Sequence, residues 1–428
     1  MKKITFIILI LLLFVISSSC IIDNPSNQNN KENIASSPPV PDMSENSTPK
    51  LSYEERMINN MSLDEKIGQL VILGFSEGTT DEELKKLIQV NKVGGFILFR
   101  RNYSNFRELY ELNSKLKNYN KENKLPLFIA IDEEGGTVSR IPKEGITMPD
   151  ARIFGQIDDL SLTEKSGRII GKQLYSAGVN MNFAPVLDIL SRNDNTLLKN
   201  RSYGNNANKV SSHGLSYIKG INEEGIISVP KHFPGHGHTN TDSHASLPII
   251  NIDLDTLNNR ELVPFRNAIN ADIDAMMIGH LSFPKIDESG KPASRSKVFL
   301  TDILRNQLGF KGIAISDDLE MAGFVKGKES LEDAVIESFN AGMDIFVICH
   351  TKEMQYRVLE ALRKGLSKGL ISEDRINQTL ERIIKVKTKY TLSNEMNLQY
   401  DEAFDLFIDS EYRDFINSTR KAFTESTN

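Results

Sequence analysis

The chain has 428 residues, no tryptophan, and two cysteines, Cys20 and Cys349. Without an indole there is no Trp platform on which to stack a ligand ring, and two thiols cannot make a disulfide framework. Positive charge is not in excess either. The net charge is −6, with 51 Lys and Arg against 57 Asp and Glu, so neither nucleic acid nor an anionic surface is an expected partner. No apolar run is long enough to read as a membrane-spanning helix. No Gly-rich phosphate loop follows the first apolar run, which removes the nucleotide-binding form of an open doubly wound sheet. What is present is ordinary for a soluble domain, with 39% hydrophobic and 25% charged residues.

The two ends have compositions of their own. Lys2 and Lys3 precede an apolar stretch from Ile4 to Ile16, and Ser17-Ser-Ser-Cys20 follows. Residues 1–20 therefore read as a secretory signal. Cys20 resembles a bacterial lipoprotein processing site, although Ser17 stands where leucine is usual. Residues 21–50, rich in Asn, Ser, Pro and Lys, cannot bury enough apolar surface to offset the entropy of ordering and read as a flexible tether. The expected organisation is an exported domain over residues 51–395, anchored to the membrane through a lipid on Cys20 and held off it by the tether, with a helical tail over 396–428. Oligomeric state is not legible.

Within the domain, eight short apolar runs alternate with helical stretches: Gln69–Gly74, Gly94–Phe99, Leu127–Ile131, Val179–Ala184, Ile226–Val229, Ala275–Ile278, Gly312–Ile315 and Met343–Ile348. Helical periodicity fills the intervals, and Ser62-Leu-Asp-Glu65 forms a capping box. Near-continuously apolar strands alternating with helices predict a parallel sheet covered by helices. Eight such units predict an α/β fold of the closed (β/α)₈ barrel type. Polar residues follow six of the runs directly: Arg100-Arg101, Asp132-Glu133-Glu134, Pro185 to Asp188, Lys231-His232, Gly279-His280 and Asp317-Asp318. In a barrel these all fall on the one face where sites are built.

Four of the seven histidines lie between His232 and His244, in Lys231-His-Phe-Pro-Gly-His-Gly-His-Thr-Asn-Thr-Asp-Ser-His244. Folding alone does not call for such a density of imidazole in a loop. Asp242 can hold one ring nitrogen of His244 as a donor and leave the other for proton transfer. Asp317 follows a buried strand and is assigned to chemistry, while Asp318 is assigned to capping the next helix. An Asp nucleophile, a His acid/base and a carboxylate orienting it make a double-displacement site. Asp132 as acceptor, with Arg140, Arg201 and Lys231 as donors, read as substrate handles.

These segments, with Ile131-Asp-Glu-Glu-Gly-Gly-Thr-Val-Ser-Arg140, Asn182-Phe-Ala-Pro-Val-Leu-Asp188, Asn200-Arg-Ser-Tyr-Gly204 and Ser316-Asp-Asp-Leu-Glu-Met321, resemble the β-N-acetylglucosaminidase branch of glycoside hydrolase family 3. The resemblance runs from about residue 55 to 390. It implies a retaining hydrolase that removes terminal N-acetylglucosamine from β-linked glycosides, typically peptidoglycan fragments. It also implies Asp317 as nucleophile, His244 as acid/base and Asp242 as its partner. Asp132, Arg140, Arg201, Lys231 and His232 are then the residues that bind the sugar. Because an imidazole is not an anion and does not repel phosphate, phosphorolysis stays open beside hydrolysis. His238 stands where the family usually has another residue. Residues 401–428 resemble the helical lead-in to the α/β sandwich domain that many secreted relatives carry.

Two rival readings remain. A metallohydrolase could draw ligands from His232, His236, His238, His244 and Asp242, but their spacing matches no helical two-His zinc motif, so neither metal nor cofactor is expected. A lipid-anchored sugar-binding protein without turnover is the other. It predicts binding of an aryl N-acetylglucosaminide with no release of the aryl group.

Overall fold

The computed structural model describes residues 51–192, 194–239, 246–325 and 329–427. The signal, the tether, Cys20 and the Asp242–His244 pair lie outside the described residues.

All eight apolar runs become strands, most of them over shorter spans than expected. They are β1 (Val71–Leu73), β2 (Gly95–Leu98), β3 (Phe128–Ile131), β4 (Met181–Asn182), β5 (Ile227–Ser228), β6 (Ala275–Ile278), β7 (Ile313–Asp318) and β8 (Ile345–Ile348). Their order is β5-β4-β3-β2-β1-β8-β7-β6, every pairing parallel. Ile72 pairs with Gly95 on one side and Val347 on the other, so the first strand joins the last.

The remaining seam, between β5 and β6, closes beyond the regular strand. Pro230 and Pro234 have no N–H to give to a ladder. The amides that close the ring are those of Met277 to the Pro230 carbonyl, Phe233 to that of Met277 and Gly279 to that of Phe233, each 2.9 Å. Lys231 and His232 sit inside this seam. The architecture is a (β/α)₈ barrel.

Helices fill the intervals between the strands as expected, including Phe106–Tyr119, Leu160–Ser176, Ala207–Asn222, Leu331–Ala341, Lys352–Ser367 and Glu373–Lys389. Ser62 and Glu65 form the capping box reciprocally. The helix between β6 and β7 is wound wider than an α-helix over Val298–Gln307. Among the described residues, the α-helices Tyr53–Asn59 and Ala151–Ile157 were not expected. At the barrel end opposite the site, the buried Asp344 carboxylate accepts from Arg305 (2.6 Å), Arg375 and Arg382 (both 3.2 Å), tying the start of β8 to the outer helices. Among the described residues no helix is long and apolar enough to cross a membrane.

The C-terminal helices, Tyr400–Phe407 and Glu411–Thr427, pack onto the same core as the barrel. The Phe407 ring lies 4.4 Å from that of Phe106, and Phe415 stacks on Phe154 at 6.5 Å. Phe407 is fully buried. Phe407→Ala is therefore expected to destabilise the protein by about 3–5 kcal/mol, the usual cost of emptying an aromatic site. Chemical denaturation checks this, and an unchanged midpoint would mean that the helix does not contribute to the core.

Candidate active site

At the C-terminal ends of the strands a cavity of about 260 Å³ is lined by Asp132, Arg140, Arg201, Lys231, His232 and Asp317, together with Glu134 and His236. The structure thus brings together all six candidate residues that fall within its described part, from four separate stretches of chain.

The acidic run after β3 turns sharply at two glycines. Gly135 and Gly136 have φ of +83° and +52°, and a Cβ on Gly136 would stand 2.0 Å from the Asp150 carboxylate. A left-handed pair is cheap only for glycine. The turn brings Glu134 N to the Val138 carbonyl at 2.9 Å and returns the chain over the site as far as Arg140. There the Arg140 backbone is held on both sides. Its amide donates to Glu133 Oε2 (2.5 Å), and its carbonyl accepts from the Tyr103 hydroxyl (2.8 Å).

The charges form one network. Lys231 Nζ lies 2.7 Å from both Asp132 Oδ1 and Glu134 Oε1. Arg201 grips Glu134 with two bonds of 2.7 Å, through Nε and Nη2. Burial alone would raise the Glu134 pKa, but the Arg201 and Lys231 cations beside it hold its carboxyl well below the usual range. Burial likewise disfavours the Lys231 ammonium, and Asp132 and Glu134 more than offset that, so its pKa is raised. Both cations stay charged and pre-aimed. Asp132 is the more open carboxylate, with its side chain 20% exposed against 5% for Glu134.

Asp188, fully buried beyond β4, organises the histidine turn. Its Oδ1 accepts from the His236 amide (2.7 Å) and its Oδ2 faces His232 Nδ1 at 2.7 Å. Burial raises the Asp188 pKa, and the nearby His232 and His236 bring it below its ordinary value. A carboxylate at that distance fixes the proton on Nδ1 and leaves Nε2 of His232 as the second ring atom for a ligand. The ring of His236 is kept neutral chiefly by burial, and its Nδ1 has no hydrogen-bond partner. His238 Nδ1 lies 3.3 Å from both Ser191 Oγ and Arg260 Nη2, which gives this extra imidazole a packing role in the loop.

Asp317 stands near the end of β7. Its Oδ1 accepts from the Asp318 amide at 2.9 Å. Burial pushes its carboxyl up, but His232, His280, the Asp318 amide and Lys231 bring it below its ordinary value, so it is an anion at neutral pH. An anion at the pocket wall among polarised donors is suited to attack an electron-poor carbon.

Against this geometry the comparisons are decisive. Residues 62–386 match the model of the "Glycosyl hydrolase family 3 N terminal domain". The chain belongs to glycoside hydrolase family 3. A "Beta-hexosaminidase A" of Pseudoalteromonas piscicida is 35% identical over 341 residues, covering 74% of this chain and 56% of its own. A "Beta-hexosaminidase" of Neisseria gonorrhoeae is 36% identical over 295 residues, covering 67% of this chain and 78% of its own. The chain thus spans little more than half of the first relative. Among solved structures, a family 3 β-N-acetylglucosaminidase from a Paenibacillus species superposes with a TM-score of 0.75 at 34% identity, over 81% of this chain and 68% of that one.

One expectation drawn from the residues needs correction. Asp318 caps no helix. β7 runs on through it, its Oδ1 accepts from the amides of Glu320 (3.1 Å) and Cys349 (3.2 Å), and Ser330 caps the next helix among the described residues. An acceptor so close to a strand end meets loop amides before any helix begins. Burial, then Glu320 and Asp317, push its carboxyl up to about 6. Arg100 and Arg101 also serve the frame. Arg100 Nε donates to Ser139 O (2.9 Å), and Arg101 donates to the carbonyls of Phe75 (2.9 Å) and Cys349 (2.6 Å). The roles of Glu133, Glu134 and Asp188 were not assigned from the sequence. Their position directly after β3 and β4 was the available signal.

Glu133 provides a pH test. It is fully buried, with Oε1 unpartnered, and burial pushes its carboxyl up to about 7 despite the Arg140 and Ile141 amides. The folded state keeps a proton that the unfolded chain releases near pH 4.5, so this group favours folding in acid, and the benefit is lost as pH rises through about 7. Glu133→Gln has no charge to bury. Relative to the parent, its unfolding free energy is expected to gain about 3 kcal/mol between acid and alkaline pH. Denaturant titrations across that range check it, and a difference that stays constant with pH would contradict it.

Proposed function

We propose that this chain is a retaining exo-β-N-acetylglucosaminidase acting by double displacement on GlcNAc–MurNAc fragments of peptidoglycan. The observation that carries the reading is the Asp317 anion sharing one small cavity with the Lys231–Asp132–Glu134–Arg201 network and His232. A cavity of about 260 Å³ suits a single sugar ring better than a polymer groove, in keeping with attack at a chain end. The names of the P. piscicida and N. gonorrhoeae relatives, both β-hexosaminidases, support the substrate class.

In this scheme Asp132, Lys231, Arg201, Arg140 and His232 offer acceptors and donors to the sugar's hydroxyls and acetamido group. The Asp317 carboxylate attacks the anomeric carbon while His244 protonates the departing oxygen. A covalent glycosyl–Asp317 ester forms and the aglycone leaves. His244, oriented by Asp242, then takes a proton from water, which attacks the same carbon and restores the Asp317 carboxylate. The usual retaining pair is two carboxylates, and here an imidazole replaces the acid/base member. We further propose export and anchoring through a lipid on Cys20, which would set the domain among extracytoplasmic cell-wall fragments.

The test is to incubate the purified chain with a GlcNAc–MurNAc fragment, with and without phosphate, and identify the released sugar by mass. Free N-acetylglucosamine in both is expected. N-acetylglucosamine 1-phosphate would make the protein a phosphorylase, and no release would favour the binding protein.

Variants separate the roles. Asp317→Asn is expected to abolish turnover of every substrate. His244→Ala is expected to slow substrates with poor leaving groups by about 10²–10⁴-fold and activated aryl glycosides far less. Equal loss on both would refute the acid/base assignment. The rate profile should be bell-shaped near neutrality, because one imidazole must first give a proton and then take one.

A further inference from the structure

Cys349 is a buried, free thiol, and the fold gives it company. β8 delivers Cys349 and His350 to the cavity wall beside Asp318, at the end of β7. A carboxylate oxygen of Asp318, Cys349 Sγ and a ring nitrogen of His350 all lie within 4.8 Å of one another. Among the described residues this is the one set of three His, Cys, Asp or Glu gathered so closely. The rival set in the histidine loop is not gathered in its described part, where His232 Nδ1 already belongs to Asp188.

The frame of the trio is fixed. Asp318 Oδ1 is occupied by two amides, which leaves Oδ2, 3.5 Å from His350 Nε2, to turn toward a ligand. Arg101 holds the Cys349 carbonyl, and the Glu320 carboxylate accepts from the His350 amide. The His350 side chain is 54% exposed, so its ring can adjust. Around a tetrahedral zinc ion, with bonds of about 2.0–2.3 Å, ligand atoms stand roughly 3.3–3.8 Å apart. The three groups need to close by no more than about 1–1.5 Å to reach that geometry.

We propose that Asp318, Cys349 and His350 form a site for a zinc-class divalent cation on the wall of the sugar cavity, and that its occupation inhibits glycoside binding. One sulfur, one nitrogen and one oxygen suit zinc or cobalt rather than magnesium or calcium. As the ion binds, the Cys349 S–H bond breaks, the proton goes to solvent and Sγ bonds the metal, with no change of oxidation state. Three protein ligands would leave a fourth coordination position open, and all three residues line the same cavity as Asp317. Inhibition rests on the glycosidase reading, but binding of the ion does not.

The test uses the full chain and cobalt(II) as a spectroscopic probe. A thiolate-to-cobalt charge-transfer band is expected, displaced by zinc, absent in Cys349→Ser, and requiring about 10–100-fold more cobalt in His350→Ala. Zinc should inhibit aryl N-acetylglucosaminide hydrolysis competitively, and Cys349→Ser should need at least about tenfold more zinc, each protein scored against its own zinc-free rate. Absence of the band in the parent, or its survival in Cys349→Ser, where Cys20 is the remaining cysteine, would overturn the site. The band without competitive inhibition would overturn the inhibitory role. Inactivity toward the glycoside together with a Cys349-dependent band would count against the glycosidase reading and leave the site standing.

Discussion

The site depends on keeping Lys231 charged where water scarcely reaches. An ammonium taken out of water costs several kcal/mol unless it is paired and hydrogen-bonded. Here it is paired twice, with Asp132 and Glu134 at 2.7 Å each, and Glu134 is pinned in turn by both arms of Arg201. Removing any one member strands the others, so these side chains act as one unit. The value of such an arrangement lies less in stability than in preorganisation. Donors and acceptors are aimed before a substrate arrives and need not reorganise during reaction.

The barrel makes the network possible. Its members come from the ends of β3 and β5 and from the loop beyond β4, and the parallel ring places all these ends on one face. The seam between β5 and β6 adds a local constraint. Because prolines interrupt the regular ladder, residues 230–233 close the ring through scattered bonds, and Lys231 and His232 are carried within that closure. Asp188, buried below, binds the amide of His236 and the ring of His232. Position and tautomer are thus set by one carboxylate. The same logic governs Arg140, whose backbone is tied by Glu133 and Tyr103.

Much of this was legible in the residues. All eight strands were marked by apolar runs, since strands buried on both faces have no polar alternation to confuse the reading. The polar residues following them pointed to one rim, and Asp132, Arg140, Arg201, Lys231, His232 and Asp317 do line one cavity. What stayed hidden depends on partners far away in sequence. Glu134 looks like any charge beside Asp132 until the fold brings Arg201 to it across 67 residues. Asp318 looks like a cap because the distance to the next helix cannot be read from local composition. The helix Tyr53–Asn59 was readable, since Ser52 and Glu55 repeat the capping box recognised at Ser62 and Glu65. The helix Ala151–Ile157 has no side-chain cap and buries only Phe154 and Gly155, so it left little local signal.

The account turns on Asp317 as the atom donor to the anomeric carbon. The direct measurement is to trap the glycosyl–enzyme with an activated fluorinated N-acetylglucosamine analogue, digest the protein, and locate the added mass by peptide sequencing. The label is predicted on the Asp317 carboxyl, and Asp317→Asn should acquire none. A label on Asp132, Glu134 or Asp318, or turnover without any labelled peptide, would contradict the account.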